Sequence, residues 1–484
     1  MDMITLLNDP NSEKILQLEI DGTHYLSDTA YYSEPTDTPA NQPYAPVIAQ
    51  GGIPSYRRRI QELWGGRSLA SWGEVSLASE IVNGVDFSTT SIRGKLVEGF
   101  VTGKRNLVAL ADRLQIIKGV IGSKSVNADG GISFDVIDDQ SKFQATEFPP
   151  NRYDSATEVA GFPVANHGLS KPVCLGRCKN VPATLVDAGT WTYQVNDPAT
   201  GSINAISAVY DNGVVVSTSS IDLVNGKFTL TSAPVGIVTA DVDGVKDGAT
   251  WLSTTTLIVD WLARNYGGVA GADVDISGLP SGVVGIFLNS STTLDTVITS
   301  LLQGCLGWWQ FSSTGQLRVR QISAPVSGGK IFNEKKQLSE LVFTEDDELY
   351  WSVPLLYQRN WQRLEPASSV AANQATWLRS EGYESRTEDA AILAAYDYAS
   401  TASRLETYFD VKADAETVGT LALAMFGVPR YRTVVDLPLT APLTQLGDSI
   451  EFQDAGIFDG DYLAIGLTDE WDEELPVVKA EVWG

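Results

Sequence analysis

Two short pairs of residues constrain this chain more than any others: Asn212-Gly213 and Asn225-Gly226, set in a stretch from Ile203 to Asp241 that is otherwise rich in apolar and β-branched residues. The tight hairpin turn whose twist matches paired strands needs positive φ at its central residues, a conformation that Asn, Asp and Gly tolerate. Asp211-Asn212-Gly213 follows Tyr210 and leads into residues 214–216, while Asn225-Gly226 leads from Ile221 and Val224 to Phe228 and Leu230. Two such turns predict consecutive hairpins, three or four strands laid out in sequence. They define architecture and say nothing of chemistry.

The same punctuation recurs on both sides. Asp21-Gly22 predicts a hairpin between Leu18, Ile20 and Tyr25, Leu26, and the four prolines from Pro35 to Pro46 predict a loop or arm. Trp64-Gly65-Gly66, Gly73-Glu-Val-Ser-Leu and Gly94-Lys-Leu-Val-Glu-Gly-Phe-Val read as short strands between glycine turns, which suits a barrel or sandwich. A polar stretch, residues 125–155, ends in Phe148-Pro149-Pro150 and reads as a boundary. Amphipathic helices are predicted at 254–266 and 292–303, the second with Leu294, Val297, Ile298, Leu301 and Leu302 on one stripe and Ser291 or Thr292 as cap. Trp308, Trp309, Phe311, Leu317 and Val319 form a hairpin behind it. Further helices are expected at 388–409 and 415–426, and strands at 432–437, 448–452, 462–467 and 477–483 suit a small C-terminal barrel.

At 484 residues the chain is too long for one core, and about three or four domains are expected. The predicted class is mainly β with α+β insertions, multidomain, with barrel-like β domains at both ends and a few amphipathic helices. The expected division is an N-terminal barrel-like unit (1–160), a connector with hairpins (161–250), an α+β unit (251–340) and a C-terminal unit with two helices and a small barrel (341–484).

Charge narrows the function classes. With 34 basic and 60 acidic residues the formal charge is −26, which repels nucleic acid and anionic lipid over most of the surface. Sequence-specific DNA binding is therefore not expected. No apolar run is long enough to span a bilayer, no export signal is visible, and three cysteines cannot build a disulfide framework, so synthesis in a reducing cytoplasm is expected. Arg57, Arg58 and Arg59 are read as solvated arginines pairing with nearby carboxylates. Asp135, Asp138 and Asp139 are read as a solvated turn, since the cluster lacks the glycine and terminal glutamate of a calcium loop; the run 345–348 is read as a solvated turn because like charges lie so close, and 469–474 as an acidic turn between strands.

Catalytic signatures are sparse. The two histidines, His24 and His167, accompany no Gly-x-Ser-x-Gly elbow, no Walker loop, no dinucleotide fingerprint and no His-Glu-x-x-His. Sixty acidic residues offer any number of carboxylate pairs and so discriminate nothing. One set has metal-ligand chemistry: His167, Cys174 and Cys178, which with Cys305 would supply a Cys₃His site for zinc or an iron–sulfur cluster; the expectation is nonetheless that these cysteines are free and buried and that no cofactor is held. Trp308 and Trp351 are candidate sugar platforms if the chain is a carbohydrate-binding adhesin or a β-rich hydrolase, with core packing the competing role.

Several stretches, in order, resemble one family. Asp211-Asn-Gly, then Val224-Asn-Gly-Lys-Phe-Thr-Leu, then Ala233-Pro-Val-Gly-Ile-Val-Thr-Ala-Asp-Val resemble a β-rich segment of the central hub proteins of bacteriophage tail tips and baseplates. Lys171-Pro-Val-Cys-Leu-Gly followed by Asn180-Val-Pro-Ala-Thr-Leu-Val-Asp is similar to that family's connector, and Gly73-Glu-Val-Ser-Leu with Arg93-Gly-Lys to its N-terminal barrel. Tyr357-Gln-Arg-Asn-Trp resembles the aromatic strand that opens the last domain, and Leu446-Gly-Asp-Ser-Ile its final barrel. The resemblance implies a homotrimer around a central channel that adapts six-fold tail-tube symmetry to three-fold. Its implied partners are the distal tail protein, the tape-measure protein, distal baseplate or tail-fibre proteins, and genomic DNA sliding through the lumen. It implies localisation in the virion and no catalytic residue. Some hubs hold a cluster on four cysteines, where this chain has three.

Overall fold

The computed structural model describes every residue except 1–2, 10, 83, 106, 129, 155–160, 334–341, 347, 438–443, 454–458 and 472–476. It is mainly β, in several sheets, with few helices.

The first sheet has eight strands in the order Tyr31–Tyr32, Pro43–Pro46, His24–Ser27, Lys14–Ile20, Leu96–Gly103, Leu114–Val126, Ile132–Ile137 and Glu74–Leu77. Its first hairpin turns where expected, at Asp21 and Gly22, both left-handed (φ 56° and 61°). The named strands form an open path, yet residues 47–52 bring its ends together. The Ile48 amide donates to the Ser27 carbonyl at 3.0 Å, while Ala78 and Ala49 amides donate to Val47 and Ser76 carbonyls at 2.8 and 3.0 Å. The sheet curves around Leu18, Ile20, Val97, Ile117 and Phe134, and its strands form no closed barrel among the described residues. The proline arm contributes a strand, Pro43–Pro46, held between Tyr31–Tyr32 and His24–Ser27.

The connector is one long strand, Val173–Pro182, that serves two neighbours. Residues 173–176 pair with Gly285–Leu288, and residues 177–182 with Val238–Asp247. The handover occurs at Gly176 (φ 72°), where a Cβ would collide with the Val284 carbonyl. Ile203–Asp211 continues the sheet, turns at Asn212 and Gly213 (φ 52° and 83°) and pairs with Val214–Val215. A separate four-stranded sheet follows the order Thr184–Asp187, Thr192–Gln194, Lys227–Leu230, Thr218–Asp222. Phe228, Val181, Ala240, Cys174 and Cys178 fill the core between them.

The largest sheet joins the two ends of the sequence. Its path runs Val274–Ser277, Leu317–Gln321, Gly307–Phe311, Gly66–Trp72, Tyr56–Ile60, Gly460–Glu470, Val477–Trp483, Tyr431–Leu437 and Thr344–Glu345, with Ser449–Gln453 paired to Gly460–Glu470. Strands at 56–72, expected within the N-terminal unit, are thus hydrogen-bonded between the α+β hairpin and the C-terminal strands. The four C-terminal strands do not close on themselves among the described residues. They continue sideways into Tyr56–Ile60, because that strand offers a register in which Tyr56, Arg58 and Ile60 face inward.

Helices Thr255–Asn265 and Leu294–Gln303 pack on this sheet, and all five predicted stripe residues of the second are buried. Its cap is Thr293, which accepts from the Thr296 amide at 3.3 Å, one residue beyond the candidates named. The helix expected at 388–409 does not form. Asp389 caps only Ala390–Ala395, which buries no side chain, and the chain then turns extended so that Ala402 and Leu405 bury beside the Tyr350–Tyr357 strand. This alanine-rich turn docks only Ile392 against the core, too narrow an apolar face to carry the helix further. Lys412–Phe426 forms as expected and buries Val418, Ala422 and Met425.

Candidate functional site

The four metal candidates are not brought together. Cys174 and Cys178 lie on the connector strand with thiols turned to the Val195 and Leu175 carbonyls (3.2 and 3.5 Å). Cys305 sits at the end of Leu294–Gln303 in a different core, its thiol on the Leu302 carbonyl at 3.3 Å. Burial pushes Cys305 up to about 12 and Cys178 well above the usual thiol range, the second helped by Cys174. His167 stacks on Phe162 with ring centroids 5.2 Å apart. Among the described residues no three His, Cys, Asp or Glu side chains gather to hold an ion. Asp135, Asp138 and Asp139 turn to separate partners, respectively the Ser123 hydroxyl, the Gln140 amide and Lys142.

Of the sugar-platform candidates, Trp308 is 1% exposed and unavailable as a surface platform; Trp351 is half-buried. Trp308 packs in the core formed by the helical stripe and the hairpin, which the apolar spacing around it foreshadowed.

Several residues read as solvated are structural. Alternation along Tyr56–Ile60 leaves Arg57 and Arg59 exposed and drives Arg58 inward, onto Asp469 at 2.6 and 2.8 Å. Burial holds the Asp469 carboxyl above its usual range, opposed by the Arg58 guanidinium. Asp346, from the acidic run, accepts from Arg432 at 2.8 and 2.9 Å and from the Trp483 indole at 2.9 Å. Asp347 and residues 472–474 lie outside the described residues.

Two motifs singled out separately in the sequence meet at one buried joint. Asn180, in the left-handed region (φ 52°), donates through its side chain to Asn360 Oδ1 and to the Gln362 carbonyl, both at 2.7 Å. Asn360 in turn donates to the carbonyls of Leu378 and Ser380 at 3.0 and 2.8 Å. Asn180 also anchors to the hairpin sheet, its amide donating to Asp241 at 2.9 Å. The connector, the hairpin unit and the aromatic strand are thus locked through one amide pair. Local pattern gives no warning of it, since the partners are 180 residues apart.

Beside this joint lies a cavity of about 550 Å³, lined among others by Glu62, Trp64, Glu348, Tyr350, Arg359 and Arg404. The Trp64 indole stacks on Phe426 (4.7 Å), and the Glu348 carboxyl beside it is pushed up by burial and then by Asp346. Arg359 is paired with Glu406 and lies 4.6 Å over the Tyr408 ring, while Arg404 bridges Glu381, Glu384 and Glu406. The arginines are therefore committed to carboxylates, and neither histidine lines the space. Its lining is held in charge networks, and the Ser300 hydroxyl donates to the Thr296 carbonyl.

No family model matches the sequence, and no curated protein matches it. Solved structures do resemble it along its whole length. A tail protein from Neisseria meningitidis MC58 matches over 98% of this chain and 97% of its own at 8% identity and a TM-score of 0.47. The prophage tail protein gp18 from Listeria monocytogenes EGD-e matches over 97% and 94% at 10% identity and 0.43. The 43 kDa tail protein of prophage MuSo2 from Shewanella oneidensis matches over 97% and 98% at 8% identity and 0.41. No helix among the described residues is long and apolar enough to cross a membrane.

Proposed function

We propose that the protein is a structural component of a phage virion, the central hub of a tail tip or baseplate. Three copies form a ring around the DNA channel, bounded above by the distal tail protein and tape-measure protein and below by receptor-binding or fibre proteins. The observation that carries this reading is the joint at Asn180 and Asn360. Two stretches that resemble hub motifs on the sequence alone, far apart in the chain, meet through paired amides, and a third holds the same asparagine through Asp241. Motifs matched by chance have no reason to share a buried contact. The role is assembly and gating, without turnover or a bound cofactor.

In such a ring the surplus of 26 negative charges suits a lumen that DNA must traverse without sticking, since like charge repels the phosphate backbone. Negative charge confined to the outside of the assembled ring refutes that part. The reading as a whole is tested by negative-stain imaging of the purified protein. Three-fold particles with an open centre are expected; asymmetric particles at every concentration, together with a mass of 52.2 kDa, count against it.

A further inference from the structure

An exposed apolar strip runs along the outer rim of the hairpin unit. Thr218–Asp222 hydrogen-bonds to Lys227–Leu230 on one side and, among the described residues, to no strand on the other. Around this open edge stand Val215 and Val224, each 67% exposed, Ile221 and Ile237, each 46% exposed, and Val235, 98% exposed. Natural sheets guard such edges with charge, commonly lysine, or with proline. The guard here is slight: Asp222 ends the edge strand, Pro234 lies in the segment beyond it, and from Gly201 to Ala240 the charged residues are Asp211, Asp222 and Lys227. Both carboxylates are also occupied locally. Asp211 accepts the Val235 and Gly236 amides at 2.6 and 2.7 Å, and Asp222 accepts the Val224 and Asn225 amides at 3.1 and 3.0 Å.

We infer that this strip is a contact with a second copy of the same chain. The argument is one of charge. A basic partner gains most by docking on the acidic surface that dominates a body of net charge −26, and gains nothing from a neutral rim. A partner that is itself strongly acidic is repelled everywhere else, and a neutral apolar surface is where it packs without that penalty. An identical chain is such a partner. Segments 214–225 and 231–237 span 19 residues, most of them exposed, close to one side of a standard interface. The inference rests on the trimer reading only for the number of copies.

The test is native mass by light scattering over a hundredfold range of concentration, for the wild type and for Val215→Asp combined with Val224→Asp. Both positions are exposed, so the fold, checked by circular dichroism, is expected to persist. Burying two unpaired carboxylates is expected to weaken association about 100-fold or more. A wild type at three times 52.2 kDa and a variant at 52.2 kDa bear out strip and trimer together. A wild type at twice that mass with a monomeric variant keeps the strip and overturns the trimer. A variant that stays trimeric overturns the strip and leaves the trimer standing, and a wild type that stays monomeric overturns both. Val235→Asp, at a nearly free side chain, repeats the test should the double variant fail to fold, and Val164→Asp, 80% exposed and off the strip, is the control expected to change nothing.

Discussion

Replacing Asn180 by alanine is expected to destabilise the protein by about 3 kcal/mol, in two separable parts. The side chain donates two buried hydrogen bonds of 2.7 Å, to Asn360 Oδ1 and the Gln362 carbonyl, worth about 1 kcal/mol each net of water. The backbone sits at φ 52°, which costs an alanine about 1 kcal/mol more than an asparagine or glycine. The amide bond to Asp241 is kept, because it is made by the main chain. Asn180→Gly therefore loses the side-chain part and escapes the φ penalty, and is expected to lie about 1 kcal/mol above the alanine variant. Urea unfolding followed by tryptophan fluorescence reads this directly, with Trp361 adjoining the joint. Combining Asn180→Ala with Asn360→Ala closes a double-mutant cycle with an expected coupling of about 1 kcal/mol. Glycine no better than alanine refutes the backbone part. Additivity of the two alanines to within about 0.5 kcal/mol refutes the amide contact.

Arg58→Met leaves Asp469 buried without its partner and is expected to cost about 3–5 kcal/mol at neutral pH, by denaturant midpoint. The deficit shrinks on acidification, because the raised Asp469 carboxyl then takes up a proton; a pH-independent deficit argues against a buried charge. Burial raises Asp138 to about 6 from a usual 3.8, so its contribution to stability is full below about pH 4 and is lost as the pH rises through about 6. Melting of Asp138→Asn is expected to lack that decline and to exceed the wild type at pH 7; equal pH slopes for the two proteins would falsify this. Protein purified without chelator is expected to carry less than stoichiometric zinc and iron, since the thiols are split between two cores; one equivalent of either by elemental analysis overturns it.

The sequence disclosed what local physics controls. Asp21-Gly22 and Asn212-Gly213 turn where their tolerance of positive φ places them, and the stripe of Leu294–Gln303 is buried as its spacing required. What stayed hidden depends on partners far along the chain. Arg58 reads as solvated until Asp469 arrives, Asp346 until Arg432 and Trp483 do, and the alanine-rich stretch after Asp389 reads as a long helix although Ile392 alone docks on the core. The joint at Asn180 was half visible, because both stretches were noticed. Nothing local showed that they touch.

The strand Tyr56–Ile60 takes its second neighbour, Gly460–Glu470, from some 400 residues later in the chain. At ribosomal speeds of about 5–20 residues per second, tens of seconds pass between the emergence of the two. For that interval the early hairpin presents a bare flank to every neighbouring nascent chain. Three consecutive arginines lie on that strand, and clustered charge of this kind disfavours pairing with a wrong strand. In the finished molecule Arg58 is buried onto Asp469 and Arg59 pairs at the surface with Glu481, so the same charges clasp the early strand to the late ones.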